Sequence, residues 1–167
     1  KIDEEFYKKR KIGENDNYLC EIIRKDLVDD FIVFLAEKNI PINQQINTSI
    51  FETNYCLNNA KEIGIEEEMP SLIQYAAFYG SFKIFKYLIL KNAKYDSNIW
   101  FFAIYSGNVE IISFCEENEK FPKDKDIYEC NFNHSIQCHN NAYANYIINE
   151  RLNMVIPDNQ VEIELYI

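Results

Sequence analysis

A repeated two-helix pattern constrains the fold of this chain more than any other feature of its sequence. Residues Ser71–Gly80 form an apolar-faced segment that ends at a glycine, and a second apolar-faced segment, Ser81–Leu90, follows at once. Ser71 and Gln74 have the spacing of a capping box, which satisfies the first backbone N–H groups of a helix. Gly80 readily takes the left-handed conformation that ends helices. The pattern therefore predicts two short helices joined by a tight turn at Gly80.

The same pattern recurs in three other parts of the chain, residues 17–35, 98–115 and 130–148. Asn98 is predicted to cap the first helix of its pair, and Gly107 and His139 are predicted to occupy the turn position. The pairs start at residues 17, 71, 98 and 130, so the spacings are 54, 27 and 32 residues. Repetition near 33 residues is typical of solenoid proteins.

Small residues stand at equivalent positions of the first helices, at Ala76, Ala77, Ala103 and Ser135. Helices that pack side by side approach to about 8–10 Å, and a large side chain at the contact would hold them apart. The small residues therefore favour stacked helix pairs, with an irregular helical bundle as the alternative.

Residues 76–88, Ala-Ala-Phe-Tyr-Gly-Ser-Phe-Lys-Ile-Phe-Lys-Tyr-Leu, resemble the ankyrin pattern Ala-Ala-x-x-Gly-His-x-x-Val-Val-x-x-Leu. They are also similar to a divergent ankyrin-type family expanded in parasitic protists. The resemblance extends over about residues 16–150. It implies an all-α fold, an ankyrin-type solenoid of about four to five helix-turn-helix repeats with short or absent hairpin fingers.

This interpretation divides the chain into an N-terminal extension (1–15), an ankyrin-like repeat domain (16–150) and a C-terminal extension (151–167). The repeat units are expected near residues 17–43, 44–70, 71–96, 98–125 and 130–150. The unit at 44–70 is degenerate, with one helix expected around 49–59 and an acidic loop before Pro70. The tail at 161–167 alternates apolar and polar residues, which is typical of a strand.

The charge and cysteine content indicate the class of partner and the compartment. With 17 Lys and Arg against 27 Asp and Glu, the net charge is -10, which opposes binding to nucleic acid or to an anionic membrane. A protein partner with a basic surface fits this charge. The five cysteines are odd in number and widely spread, and no signal peptide or membrane span is apparent. These features predict a cytoplasmic protein and leave the oligomeric state open.

One cluster of residues could carry chemistry, and it contains Cys130, His134, Cys138 and His139. A spacing of four places Cys130, His134 and Cys138 near one helical face, where zinc could bind, but His139 points elsewhere and no second ligand pair exists. Cys138 and His139 are adjacent, so no oriented nucleophile and base result. We therefore predict no metal, no cofactor and no catalytic residue. Cys115 is expected to be buried, and Cys138 is expected to be the most accessible thiol.

Because no group of residues supports catalysis, the chain is predicted not to be an enzyme. The ankyrin resemblance implies that it is a scaffold that binds a protein partner through a concave surface. The residues between the small pair and the turn face the partner in that family, and here they are Phe78, Tyr79, Tyr105, Ser106, Gln137 and Cys138, with Arg24 and Lys25 less securely aligned. Aromatic residues are suited to such a role because they bury a large rigid area. The alternatives are that Phe78 and Tyr79 pack between helices, that residues 130–139 form a metal or thiol site, or that the repeats are a purely structural part of a larger protein.

Overall fold

The computed structural model describes residues 4–47, 49–58, 69–119 and 121–152. Over this part of the chain the regular structure consists of ten α-helices and one π-helical segment, with no β-strand and a single antiparallel bridge between Gln45 and Ser71. The predicted all-α class is therefore confirmed for the described residues. The helices are α1 (Glu4–Ile12), α2 (Tyr18–Arg24), α3 (Val28–Glu37), α4 (Tyr55–Asn58), α5 (Leu72–Phe78), α6 (Phe82–Leu90), α7 (Asn98–Ser106), α8 (Val109–Glu117), α9 (Lys125–Gln137) and α10 (Asn141–Tyr146), followed by the π-helical segment Ile147–Leu152.

A left-handed residue joins the two helices of each predicted pair. Asp26, Gly80, Gly107 and His139 have φ angles of 51°, 68°, 67° and 57°. Glycine adopts this conformation without steric cost, and Asp and His tolerate it better than most other residues. The turn positions predicted from the sequence at Gly80, Gly107 and His139 are therefore confirmed.

The helix starts agree with the sequence only in part. The capping box of Ser71 and Gln74 is formed at the start of α5. In α7, however, Asn98 is the first helical residue and Ser97 precedes it as the cap. Helix α9 begins at Lys125, because the Asp124 side chain accepts a hydrogen bond from Ile127 N at 3.0 Å and caps the helix there. The expected start at Cys130 was therefore wrong.

Two compact units make up the chain, divided between Phe121 and Pro122. In the first unit the pair α5–α6 lies between two others: α5 contacts α2 and α7, and α6 contacts α3 and α8. Ala76, Ala77 and Ala103 are completely buried in the first helices of these pairs. The small residues thus lie where the helices are packed, as the sequence predicts.

The described residues of the segment 44–58 do not form a further helix pair between α2–α3 and α5–α6. Helices α2 and α3 contact α5 and α6 directly, so the described residues 44–47 and 49–58 do not separate these two pairs. Four of the described residues form helix α4, and the segment is held by the buried side chains of Ile46, Phe51 and Leu57. Phe51 also contacts Phe6 of α1, with the ring centroids 5.4 Å apart. The acidic loop expected before Pro70 falls on residues 59–68, outside the described part of the chain.

Hydrogen bonds link the turn between α2 and α3 to the start of α6. The Ser81 hydroxyl donates to the Ile23 carbonyl at 2.6 Å, so Ser81 does not cap α6 itself. Instead the Asp26 carboxylate accepts from Lys83 N at 3.1 Å and from Ile84 N at 3.0 Å. Asp26 therefore caps α6 from the preceding pair, where a negative charge is also favourable for the helix dipole.

We expect Asp26→Ala to lower the free energy of unfolding by about 2 kcal/mol, because it removes this cap and leaves a Cβ-bearing residue without a polar side chain in the left-handed region. Asp26→Asn keeps one acceptor oxygen and the tolerance for positive φ, so it should lose less than half as much. Urea unfolding of both variants, followed by fluorescence, measures the difference. Equal losses would show that the carboxylate does not cap α6.

In the second compact unit, α9, α10 and the π-helical segment pack on one another. Ser135 is completely buried at the small-residue position of α9, and its hydroxyl donates to the Phe132 carbonyl at 2.7 Å. The Arg151 guanidinium lies 5.6 Å from the Tyr128 ring centroid and 5.3 Å from that of Tyr146. The strand expected at 161–167 lies outside the described residues.

Candidate functional site

The C-terminal ends of α5 and α7 form one side of a groove of about 570 Å³. The other side consists of residues 13–14, which follow α1, and residues 52–55, which lead into α4. We call this feature the tyrosine groove and define it by the lining residues Gly13, Glu14, Glu52, Thr53, Asn54, Tyr55, Phe78, Tyr79, Tyr105 and Ser106. Four of the residues predicted to bind a partner, those of α5 and α7, therefore line the same groove.

Phe78 is mainly a packing residue. Only 4% of it is exposed, and its ring stacks on Tyr105 with centroids 4.2 Å apart and an interplanar angle of 19°. It also contacts Phe102 edge-on at 6.2 Å. This geometry agrees with the alternative considered in the sequence analysis, in which Phe78 packs between neighbouring first helices.

Tyr105 is the more exposed ring of the stacked pair, at 37%. Its hydroxyl oxygen accepts a hydrogen bond from Asn54 Nδ2 at 2.8 Å, across the groove. The neighbouring Ser106 hydroxyl is used within its own turn, since it donates to the Ala103 carbonyl at 2.9 Å and accepts from Asn108 N at 3.2 Å. Of these two predicted residues, Tyr105 is the more exposed.

Tyr79 is half-buried at the end of α5, beside the fully buried Tyr75, with ring centroids 4.8 Å apart. Burial, followed by the nearby Glu52 carboxylate, raises the pKa of the Tyr79 hydroxyl to about 12. Burial also raises the pKa of Tyr75 strongly. Both hydroxyls are therefore neutral at physiological pH and can take part in hydrogen bonds as donors.

Arg24 connects α2 to the N-terminal residues and to α5. Its Nε atom pairs with Glu14 Oε2 at 2.9 Å, and its Nη1 atom donates to the Asn15 carbonyl at 2.9 Å and to the Tyr75 hydroxyl at 3.0 Å. Its guanidinium carbon lies 5.8 Å from the centroid of the Tyr79 ring. The Arg24 side chain therefore makes intramolecular contacts, although its alignment with the ankyrin pattern suggested a partner contact. Lys25 is exposed and pairs with Glu21 at 2.6 Å.

Glu52 is a buried carboxylate in the far wall of the groove, with 7% of the residue exposed. It accepts hydrogen bonds from Asn15 N at 3.2 Å and from Asn54 N at 3.0 Å. This wall was not predicted from the sequence, because residues 52–55 are more than twenty positions before Tyr79 and lie in the irregular segment. No spacing pattern in the sequence connects them to α5 or α7.

The two other residues predicted to bind a partner, Gln137 and Cys138, belong to the second compact unit. Gln137 is exposed, and Cys138 is half-buried with its Sγ 3.3 Å from His134 Nε2. Cys130 is exposed on α9, so the expectation that Cys138 is the most accessible thiol was wrong. Among the described residues, no group of three or more His, Cys, Asp and Glu side chains is placed to hold a metal ion.

Thiol labelling should separate the cysteines by burial. Cys20 and Cys115 are 1% and 0% exposed, and burial raises the pKa of Cys20 to about 11 and that of Cys115 further. At neutral pH this lowers the thiolate fraction of Cys20 by about a hundredfold. We expect a thiol reagent to modify Cys130 first and to modify Cys20 and Cys115 only after unfolding. Peptide mapping by mass spectrometry over time gives the order, and early labelling of Cys115 would contradict its placement in the core.

Comparison with known proteins gives no family for this chain: no protein-family model matches the sequence, and no curated protein matches it. No helix in the described ranges is long and apolar enough to cross a membrane.

Proposed function

We propose that this chain is an ankyrin-type repeat protein that binds another protein through the surface at the ends of its first helices, and that it has no catalytic role. The partner surface consists of the tyrosine groove in the first compact unit, with Tyr79 and Tyr105 as the main contacts. In the second unit, Gln137 and Cys138 occupy the repeat positions that correspond to those of the predicted binding residues in the first unit. A cytoplasmic location belongs to this proposal, because all five cysteines lie in the described part of the chain and none forms a disulfide.

The observation that carries the proposal is the repeated turn. Asp26, Gly80 and Gly107 all have left-handed backbone conformations and follow α2, α5 and α7 within two residues, so a turn of this kind recurs after the first helix of each pair. Stacked repeats that end alike present a continuous surface to a partner. On this surface Tyr105 is partly exposed and Tyr79 is half-buried, and tyrosine is among the residues most often found at binding hot spots.

A second candidate function is thiol chemistry at Cys138. The contact of its Sγ with His134 Nε2 at 3.3 Å favours this possibility, because an adjacent imidazole can promote formation of the thiolate. In that case Cys138 would react before the more exposed Cys130, and His134→Gln would abolish its advantage. The labelling experiment described above therefore also tests this alternative.

Affinity capture with two matched variants tests the binding proposal. Tyr105→Ala removes a groove residue, whereas Tyr18→Ala removes a 55% exposed tyrosine of α2 that does not line the groove. We expect a protein partner to be retained by the wild type and by Tyr18→Ala, and its affinity for Tyr105→Ala to be weaker by about 1–2 kcal/mol or more. Quantitative mass spectrometry identifies the partner, and calorimetry with the purified partner measures the affinities.

If every protein captured by the wild type is retained equally by Tyr105→Ala while that variant remains folded, the groove is not the binding surface. Capture that depends on Tyr18 instead would move the surface to the opposite end of α2. Circular dichroism is the control: both variants must have the helical content of the wild type, so that a loss of binding does not reflect unfolding.

A further inference from the structure

The charged side chains among the described lining residues of the tyrosine groove are all negative. Two of its described lining residues are carboxylates, Glu14 and Glu52, and none is Lys, Arg or His. Glu14 is paired with Arg24, which lies outside the groove lining. Among the described residues, Glu52 forms no ion pair and accepts side-chain hydrogen bonds only from the backbone N–H groups of Asn15 and Asn54. A buried carboxylate without a cation favours a ligand that supplies one.

The chain itself shows how a cation fits this environment. The Arg24 guanidinium lies 5.8 Å from the Tyr79 ring centroid and pairs with the Glu14 carboxylate at 2.9 Å. This combination of a tyrosine ring and a carboxylate around one guanidinium joins a cation–π contact to an ion pair. In the groove, Tyr105 and Glu52 provide the same two kinds of group, and the described residues supply no guanidinium for them.

We infer that the tyrosine groove binds an arginine side chain of the partner protein, with Tyr105 as the aromatic surface and Glu52 as the counter-charge. This inference rests on the proposed function and names the chemistry of the partner. A planar guanidinium stacks on a tyrosine ring and can donate two hydrogen bonds to a carboxylate, whereas a lysine ammonium has neither geometry. The net charge of -10 also attracts a basic segment to the chain before contact.

Binding of three labelled peptides to the purified chain tests this inference. The peptides contain three Gly-Ser-Arg, Gly-Ser-Lys or Gly-Ser-Gln units and differ only in the third residue of each unit. We expect the Arg peptide to bind at least about fivefold more tightly than the Lys peptide, because of stacking on tyrosine. The Gln peptide should not bind measurably. Fluorescence anisotropy at low and at physiological salt measures the affinities.

Variants separate the groove from the general charge of the chain. Tyr105→Ala should weaken binding of the Arg peptide at least about fivefold, and Tyr105→Phe, which keeps the ring, should bind nearly as the wild type does. Glu52→Gln should weaken binding by a similar factor. Glu110→Gln is the matched control, because it removes one exposed carboxylate at the start of α8, away from the groove. It should change the affinity less than twofold.

Three results would overturn the inference. The first is that Glu52→Gln and Glu110→Gln weaken binding of the Arg peptide equally, which would mean that the net charge of the chain alone attracts the peptide. The second is that the folded wild type binds the Arg and Lys peptides equally tightly, or binds neither of them. The third is self-association that Tyr105→Ala abolishes, measured by sedimentation without peptide, since a second copy of the chain would then occupy the groove. If Glu52→Gln fails to fold, the comparison of Tyr105→Ala with Tyr105→Phe decides the question.

The peptide experiment is independent of the search for a partner. A captured protein that requires Tyr105 but is not displaced by the Arg peptide would overturn the arginine inference and leave the proposed function intact. Conversely, failure of the proposed function would appear as the absence of any Tyr105-dependent protein in the capture experiment, whatever the peptides do.

Discussion

Ala77→Phe is expected to unfold the first compact unit or to lower its free energy of unfolding by about 3 kcal/mol or more. Ala77 is completely buried in α5, which contacts α2 on one side and α7 on the other. Overpacking a close helix contact costs on the order of 1–3 kcal/mol when the surroundings can adjust. Here helices lie on both sides, so little adjustment is possible, and we expect the upper end of that range or beyond.

The matched control is Ala36→Phe, which makes the same change at an exposed alanine of α3 in the same unit. It should alter the free energy of unfolding by about 0.5 kcal/mol or less. Trp100 is the single tryptophan of the chain and is 2% exposed in α7, so its fluorescence reports urea unfolding of this unit. A melting curve of Ala77→Phe like that of the wild type would show that Ala77 does not mark a close helix contact.

The second large effect is expected for Phe78→Ala, which should lower the free energy of unfolding by about 3–5 kcal/mol. Phe78 is 4% exposed and stacks on Tyr105, so its removal leaves a cavity between α5 and α7. Tyr105→Ala removes the exposed partner of the same stack and should cost only about 1 kcal/mol, the typical value of an aromatic pair. Chemical unfolding of both variants, again followed by Trp100, compares the two sides of one contact.

This comparison distinguishes a packing residue from a binding residue. Tyr105→Ala should remain folded and lose affinity for the partner, whereas any loss of binding by Phe78→Ala should follow from its unfolding. Equal loss of stability in the two variants would contradict the unequal burial of the two rings. If Phe78→Ala retained the stability of the wild type, Phe78 would again be a candidate for partner binding, as predicted from the sequence.

Local features of the fold could be predicted from the sequence because their causes are local. The capping box needs only Ser71 and Gln74 three residues apart, and the turns need only residues that tolerate positive φ at 80, 107 and 139. The burial of Ala76 and Ala77 also follows from a pattern within one helix, since small residues on an apolar face indicate a close contact.

The start of α9 shows how one side chain can override an alignment. The repeat pattern placed the start at Cys130, but Asp124 lies earlier and binds Ile127 N, so the helix forms from Lys125 onward. This cap is itself local, and an Asp before an apolar position is a helix-start signal. The prediction followed the repeat alignment and did not use this signal.

Other features depend on contacts between distant residues, which no local pattern contains. Asp26 caps α6 across 57 and 58 positions of the chain, and Asn54 reaches Tyr105 across 51. The far wall of the tyrosine groove comes from an irregular segment whose path is decided by where Phe51 and Leu57 are buried. Such contacts exist only where the elements that carry them are packed together.

The sequence by itself determined that the chain forms short helix pairs, where most of their turns lie and which small residues are packed between them, because caps, turns and helical faces are set within a few residues. Only the tertiary structure decided that α2–α3 packs directly on α5–α6, that Phe78 is buried while Tyr105 is partly exposed, and that Glu52 lies in the groove beside Tyr79. The physical reason is that burial and the electrostatic environment of a side chain depend on every element packed around it, whatever their separation in the chain.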